Sequence, residues 1–109
     1  MATRYLNKGE TINYINNSSN TIKSGSIVKL GTSRIGIAGA DISPNELGSI
    51  HVTGVFEMDK KASEAISLGS TVYYTDDGIT TTAGSNIPAG WVVAEAKSDD
   101  KTVVVKLLG

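Results

Sequence analysis

The sequence predicts an all-β fold, a small single-domain β-barrel or sandwich with one short helical turn. Three observations predict this class. Glycine and other turn-forming residues recur at short, regular intervals, the runs between them are rich in β-branched and aromatic residues, and at 109 residues the chain is too short for a second domain. Short strands that alternate with regular turns are typical of barrels and sandwiches.

The strand predictions follow the β-branched runs in chain order. Asp76-Asp77-Gly78 predicts a hairpin, because Asp-Gly tolerates the positive φ that tight hairpin turns require. Val103–Val105 does not alternate with polar residues, which predicts a central strand or one buried on both faces. The predicted strands are Thr11–Ile15, Ser26–Leu30, Ile35–Ala38, Ser49–Glu57, Thr71–Thr75, Gly90–Ala96 and Thr102–Leu108.

Three positions carry more specific expectations. Gly54 lies inside the predicted strand Ser49–Glu57 and indicates a bulge or the close approach of another backbone. Ala62–Leu68, followed by Gly69 as a C-cap, is the predicted helical turn, which Ile66 and Leu68 would tether to the sheets. Trp91 is predicted to lie in the core.

The first twenty residues differ from the rest in composition. We divide the chain into residues 1–20, an N-terminal arm with the first strand and a polar loop, and residues 21–109, a β-barrel-like domain. The arm contains large apolar residues in a polar background. Asn16–Asn20 is predicted to be a loop because Asn and Ser favour turns.

The charge of the chain argues against nucleic acid and membrane as partners. Ten basic and eleven acidic residues give a formal net charge of -1. The basic residues are dispersed and are not interleaved with aromatic residues, as a single-strand binder would need. No apolar run approaches the ~20 residues that cross a bilayer, and Met1–Lys8 lacks the apolar region of a secretory signal. We therefore expect a soluble chain that is made in a cytoplasm.

The residues that carry chemistry in enzymes do not form a recognisable set. The chain has no cysteine and a single histidine, His51, for which an ordinary surface position is expected. Asp76-Asp77 and Asp99-Asp100 fall in predicted turns, where Asp favours the turn itself. Gly31–Gly36 is not followed by Lys-Ser/Thr, so no phosphate-binding loop is present. We predict no enzymatic activity, no cofactor and no metal site.

A resemblance covers most of the chain. Gly54-Val55-Phe56-Glu57-Met58 followed by Gly69-Ser70-Thr71-Val72-Tyr73-Tyr74 resembles the centre of a family of small tailed-phage capsid cement or decoration proteins, often designated domain of unknown function 2190. Some members are labelled RecA/RadA-like recombinases, a label that the missing phosphate-binding loop contradicts. Ser24–Val28, Ile35–Ala38, Asp41-Ile42, Ala89–Val92 and Val103–Leu107 extend the resemblance on both sides.

The resemblance implies a non-catalytic cement protein that binds the outside of a phage head and stabilises the shell. Its implied partner is the major capsid protein, and a homotrimer would suit threefold positions. The implied location is the exterior of the virion capsid, after synthesis in the host bacterial cytoplasm. Composition alone supports only a β binding module, so an adhesion module on a virion or host surface is the alternative. The candidate contact residues are large apolar or aromatic residues of the arm and of one strand: Tyr5, Leu6, Ile12, Tyr14 and Tyr74.

Overall fold

The computed structural model describes residues 3–4, 6 and 8–107, which form an all-β sandwich of two antiparallel sheets, as the sequence predicts. Nine strands run through the described residues. They are β1 Thr11–Ile15, β2 Ile27–Leu30, β3 Arg34–Ala38, β4 Leu47–His51, β5 Val55–Asp59, β6 Thr71–Thr75, β7 Gly78–Thr80, β8 Ile87–Ala94 and β9 Thr102–Leu107.

The first four strands form the small sheet, in the order β1-β4-β3-β2. β1 pairs along its whole length with β4, from Thr11 opposite His51 to Ile15 opposite Leu47. Gly48 of β4 leaves room for the buried Ile42, because a Cβ atom at Gly48 would lie 2.5 Å from the Ile42 side chain. The first strand is therefore part of the small sheet.

The remaining strands form the large sheet, in the order β5-β9-β8-β6-β7. β6 and β7 make the hairpin predicted at Asp76-Asp77-Gly78, with Tyr74 opposite Ile79. β9 lies between β5 and β8, so the prediction of a central strand at Val103–Val105 is confirmed. Irregularities in β6 and β8 shift the register and bend this sheet.

The large sheet curls but does not close into a barrel. Its two edge strands meet at one end, where a single parallel bridge joins Lys60, just after β5, to Ile79 in β7. Gly78 makes this approach possible, because a Cβ atom there would lie 2.7 Å from the carbonyl carbon of Lys60. The sandwich alternative of the predicted fold class is therefore the one observed.

The core has two parts. The larger cluster lies between the sheets and joins Ile35 and Ile37 of β3 to the inner face of the large sheet, including Val72, Val92 and Val105. The smaller cluster lies on the opposite face of the small sheet; its buried members are Val28, Ala38, Ile42 and Ile50. The small sheet is therefore covered on both faces near β3, and less completely at β1.

The prediction of one strand over Ser49–Glu57 is wrong. β4 ends at His51 in the small sheet, and β5 begins at Val55 in the large sheet. Between them Gly54 has a φ of 119°, a conformation that residues with side chains rarely adopt, and this turn carries the chain from one sheet to the other. The glycine marks a change of sheet, not a bulge within a strand.

The predicted helical turn at Ala62–Leu68 is also wrong, since no helix occurs among the described residues. Ser63 has a φ of 63°, which is incompatible with a right-handed helix. Ile66 instead exchanges two backbone hydrogen bonds with Ala96, at 2.8 and 2.9 Å. Ile66 is buried and tethers the segment as predicted, whereas Leu68 is exposed.

Trp91 is not a core residue, because 41% of its surface is exposed. Trp91 lies opposite Lys106 in β9, while its neighbour Val92 lies opposite the buried Val105. Successive residues of a strand point to opposite faces, so the burial of Val92 places Trp91 on the outer face of the large sheet.

Candidate interaction surfaces

The predicted contact residues fall into two regions of the molecule. Ile12 and Tyr14 share one face of β1, where Tyr14 packs against the smaller core cluster and Ile12 is 41% exposed. Leu6, in the arm, is 72% exposed. Tyr5 lies outside the described residues. Tyr74 lies in the other sheet, in β6.

Tyr74 lies on the inner side of its strand, and its neighbour Tyr73 points the other way. Tyr74 is half-buried and packs against the larger cluster, and the ammonium of Lys29 lies 5.8 Å from the centre of its ring. Lys29 also approaches Asp76 at 3.8 Å, an exposed ion pair that contributes little to stability. The tyrosine therefore lies at the rim of the sandwich, where the small sheet meets the β6–β7 hairpin.

This rim borders an open groove of about 770 Å³ between the sheets. His51 and Phe56 line it, with ring centres 6.1 Å apart, and Asp76 and Asp77 line its other side. His51 is half-buried where it lines this groove. Within the described part of the chain no three His, Cys, Asp or Glu residues are grouped to hold a metal ion.

Two exposed apolar features escaped the sequence prediction. Ile15 and Leu47 are cross-strand partners at the end of β1 and β4, and they are 52% and 62% exposed. On the large sheet, a row across four strands contains Val55, Lys106, Trp91 and Thr71 in that order. The alternation of each strand could have suggested these positions, but only the pairing shows that they are neighbours.

The polar loop after β1 is held by one buried side chain. The amide nitrogen of Asn16 donates to the carbonyl oxygens of Asn20 and Ile42, each at 2.8 Å. Its amide oxygen accepts from the backbone and the hydroxyl of Ser18, at 2.9 and 2.7 Å. Asn16 thus folds the loop Asn16–Asn20 onto the chain that leads into β4. Neither its burial nor its partners can be inferred from its place in a polar run.

A second polar anchor closes the end of the large sheet. The ammonium of Lys60 is buried and donates to the carbonyl oxygens of Lys61, Glu64 and Ser98. These contacts satisfy its three donors without a carboxylate partner. Lys60 therefore ties the segment after β5 to the turn between β8 and β9.

Glu64 makes the neighbouring contact with the end of β7. Burial of its carboxyl raises the pKa, but the hydrogen bonds donated by Thr80 and Thr81 outweigh this effect, with a further contribution from the charge of Lys61. The net pKa of Glu64 lies below its ordinary value. Both hydroxyls donate to the same carboxylate oxygen, at 3.2 Å from Thr80 and 3.0 Å from Thr81.

Together these surfaces are suited to binding another protein. Their exposed apolar and aromatic residues lie on strands that a packed core holds in place, which is the usual basis of a stable protein contact. The part of the chain that the structure describes contains no helix long and apolar enough to cross a membrane.

Comparison with known proteins identifies the family. A sequence model described as phage cement protein matches residues 6–107. The match includes both sheets and the candidate contacts from Leu6 to Tyr74. No curated protein and no solved structure matches the chain.

Proposed function

The chain belongs to the phage cement protein family, and we propose that it binds the outer surface of an expanded phage head and stabilises the shell without catalysis. The observation that carries this proposal is the family match over residues 6–107. The fold supports it, because the exposed features are strand surfaces with large apolar side chains. The virion capsid is the location that the family indicates.

The proposed mechanism is preferential binding to the assembled shell. A protein that binds the expanded shell but not its separated subunits shifts the equilibrium towards the shell by mass action. Each copy needs only modest affinity, because many copies act on one particle. The partner that we propose is the major capsid protein, and a homotrimer would place one assembly at each threefold position.

The proposed capsid contacts are Tyr5, Leu6, Ile12, Tyr14 and Tyr74. Leu6 and Ile12 have the exposed apolar surface that a contact requires. Tyr14 and Tyr74 are half-buried, so each would offer a ring edge and a hydroxyl on a rigid support. Ile12 and Tyr14 lie in β1, which follows residues 1–7, and we propose that residues 1–7 add to the contact with the shell.

Co-sedimentation with heads of the parent phage tests the function. The purified protein is mixed with expanded heads, and unexpanded procapsids serve as the matched control. We expect saturable binding to expanded heads only, at a fixed ratio to the major capsid protein, and a rise in the temperature at which the heads break. Absence of binding to both particles would overturn the cement role.

Removal of residues 1–7 tests the arm. This deletion ends before β1, so the paired strands and the core remain. We expect weaker binding to expanded heads with an unchanged unfolding midpoint of the free protein. Binding equal to that of the full chain would exclude a contribution of the arm and leave the β1 residues as the candidate contacts.

A further inference from the structure

β1 is an edge strand without the features that normally prevent edge-to-edge pairing. Natural edges are protected by charge, proline, bulges or short length. The edge strand β2 carries Lys29, β5 carries Glu57 and Asp59, and β7 has three residues and is joined to Lys60. β1 has none of these, since residues 11–22 contain no charged residue and no proline.

The hydrogen bonds at the two ends of β1 show which backbone groups face outwards. Val52 donates to the carbonyl oxygen of Glu10, and Asn16 donates to that of Glu46, both at 3.0 Å. In an antiparallel pair the bonded residues alternate along each strand. The even-numbered residues therefore bond to β4, and the N–H and C=O groups of Thr11, Asn13 and Ile15 point to the open edge.

The sequence of β1 is complementary to itself in antiparallel register. With Asn13 opposite its own copy, Ile12 lies opposite Tyr14 and Thr11 opposite Ile15. An aromatic residue beside a β-branched residue is a favourable cross-strand pair, and the two Asn13 amides can bond to each other. No charge opposes another along the five positions.

We propose that β1 pairs with β1 of a second copy of this chain, antiparallel and centred on Asn13. The pairing joins two small sheets into one continuous sheet around a twofold axis. It covers Ile12 and brings Ile15 and Leu47 next to Thr11 of the other copy. On a shell, where copies are held close together, even a small contact of this kind becomes occupied through the raised effective concentration.

The geometry of this contact does not depend on the proposed function. If the protein is a cement protein, the contact would also link neighbouring copies on the shell. A twofold contact is compatible with trimers, because it would connect one trimer to the next. The partner at this edge is a second copy of the chain, because β1 is uncharged and complementary to itself. Pairing with a strand of another protein would not require β1 to be self-complementary.

A single cysteine tests the pairing. The chain contains no cysteine, so Asn13→Cys introduces a unique thiol. Asn13 would form a hydrogen-bonded pair with its copy, with Cα atoms about 5.5 Å apart. A disulfide spans about 4.4–6.8 Å between Cα atoms. Under mild oxidation we expect N13C to form covalent dimers roughly tenfold faster than N17C, a matched change at the exposed Asn17.

The register of the β1–β1 pair provides a second test. Thr11→Cys and Ile15→Cys should each cross-link slowly alone and rapidly when the two variants are mixed, because Thr11 faces Ile15 only across the pair. All cysteine variants must keep the unfolding midpoint of the original chain. Equal cross-linking of N13C and N17C, or no preference for the mixed pair, would overturn the proposal.

A charge introduced at the centre of the pair provides a third test. Asn13→Lys and Asn13→Asp should each remain monomeric at concentrations where the original chain dimerises, and an equal mixture should dimerise again. Dimerisation of either variant alone would contradict the pairing.

The two proposals can fail separately. If N13C cross-links but the chain binds no heads, only the cement role fails. If the chain binds heads but N13C shows no preference, only the pairing fails.

Discussion

The two sheets differ in how their edges are treated, although one core joins them. The large sheet protects its edges with Glu57 and Asp59 in β5 and with the junction between β7 and Lys60. The small sheet leaves β1 uncharged, with Ile15 and Leu47 exposed beside it. Both edges of the large sheet are thus protected, whereas the small sheet has one edge, β1, that is suited to contact with another chain.

The largest effect is expected where β8 passes β9. Gly90 has a φ of 155°, and a Cβ atom there would overlap the carbonyl oxygen of Lys106. We expect Gly90→Ala to lower the free energy of unfolding by roughly 4 kcal/mol or more, measured by urea denaturation. Gly84→Ala is the control, because Gly84 has open space around it and would cost about 1–2 kcal/mol through its positive φ alone.

Equal costs for the two glycine variants would show that β8 can move away from β9. The contact between β8 and β9 would then be less rigid than the close approach at Gly90 indicates.

Removal of core volume from the small sheet tests whether it is the weaker half. Ile50 is fully buried in the smaller cluster, so we expect Ile50→Ala to cost about 2–4 kcal/mol. Hydrogen exchange should accelerate more at the amides of β1 and β4 than at those of β9. Leu47→Ala, in the same strand but exposed, should change stability by less than about 1 kcal/mol. Uniform acceleration in both sheets would mean that they unfold together.

The anchor of the polar loop should have a smaller effect. Asn16→Ala removes two donors and leaves the carbonyl oxygen of Ile42 without its side-chain partner. We expect a loss of about 1–3 kcal/mol in the free energy of unfolding, because a buried polar group loses its hydrogen bond. Asn17→Ala, one residue further in the same loop, should lie within about 0.5 kcal/mol of the original chain. If the two variants matched, the Asn16 network would not contribute to stability.

The smallest effect concerns pH and the end of the large sheet. The pKa of Glu64 is lower in the folded protein than its ordinary value of 4.5. The ionised carboxylate therefore stabilises the fold above that value, and this contribution disappears as the pH falls through the folded pKa. We expect Glu64→Gln to reduce the loss of thermal stability on acidification. Glu46→Gln, the same substitution at an exposed position, is the matched control against which the effect of Glu64→Gln is measured.

Sequence patterns predicted most of the strands, but not the faces and the burial that depend on contacts between residues far apart in the chain. Alternating and β-branched runs located most strands, and Asp76-Asp77-Gly78 located the hairpin, because both signals arise from the backbone preferences of neighbouring residues. Trp91 was misplaced because its face depends on pairing with Lys106, which is distant in the chain. The burial of Asn16 and Lys60 could not be predicted, because their carbonyl partners Ile42 and Ser98 are distant in the chain.

The candidate site divides in the same way. The order of short motifs identified the phage cement family, and the arm residues were chosen as large apolar residues in a polar background. The exposed pair Ile15–Leu47 and the row through Val55 and Trp91 were missed, since each joins strands that are separated in sequence. Which apolar residue stays exposed depends on how far each sheet extends over the other.

By itself, the sequence determined that this chain is an all-β protein of the cement family, because strand preference and motif order are encoded locally. The tertiary structure decided that Gly54 carries the chain from one sheet to the other and that β1 lies at an open edge. Edges, faces and burial depend on which strands become neighbours. That choice is made by the packing of the whole core, which brings together residues far apart in the chain.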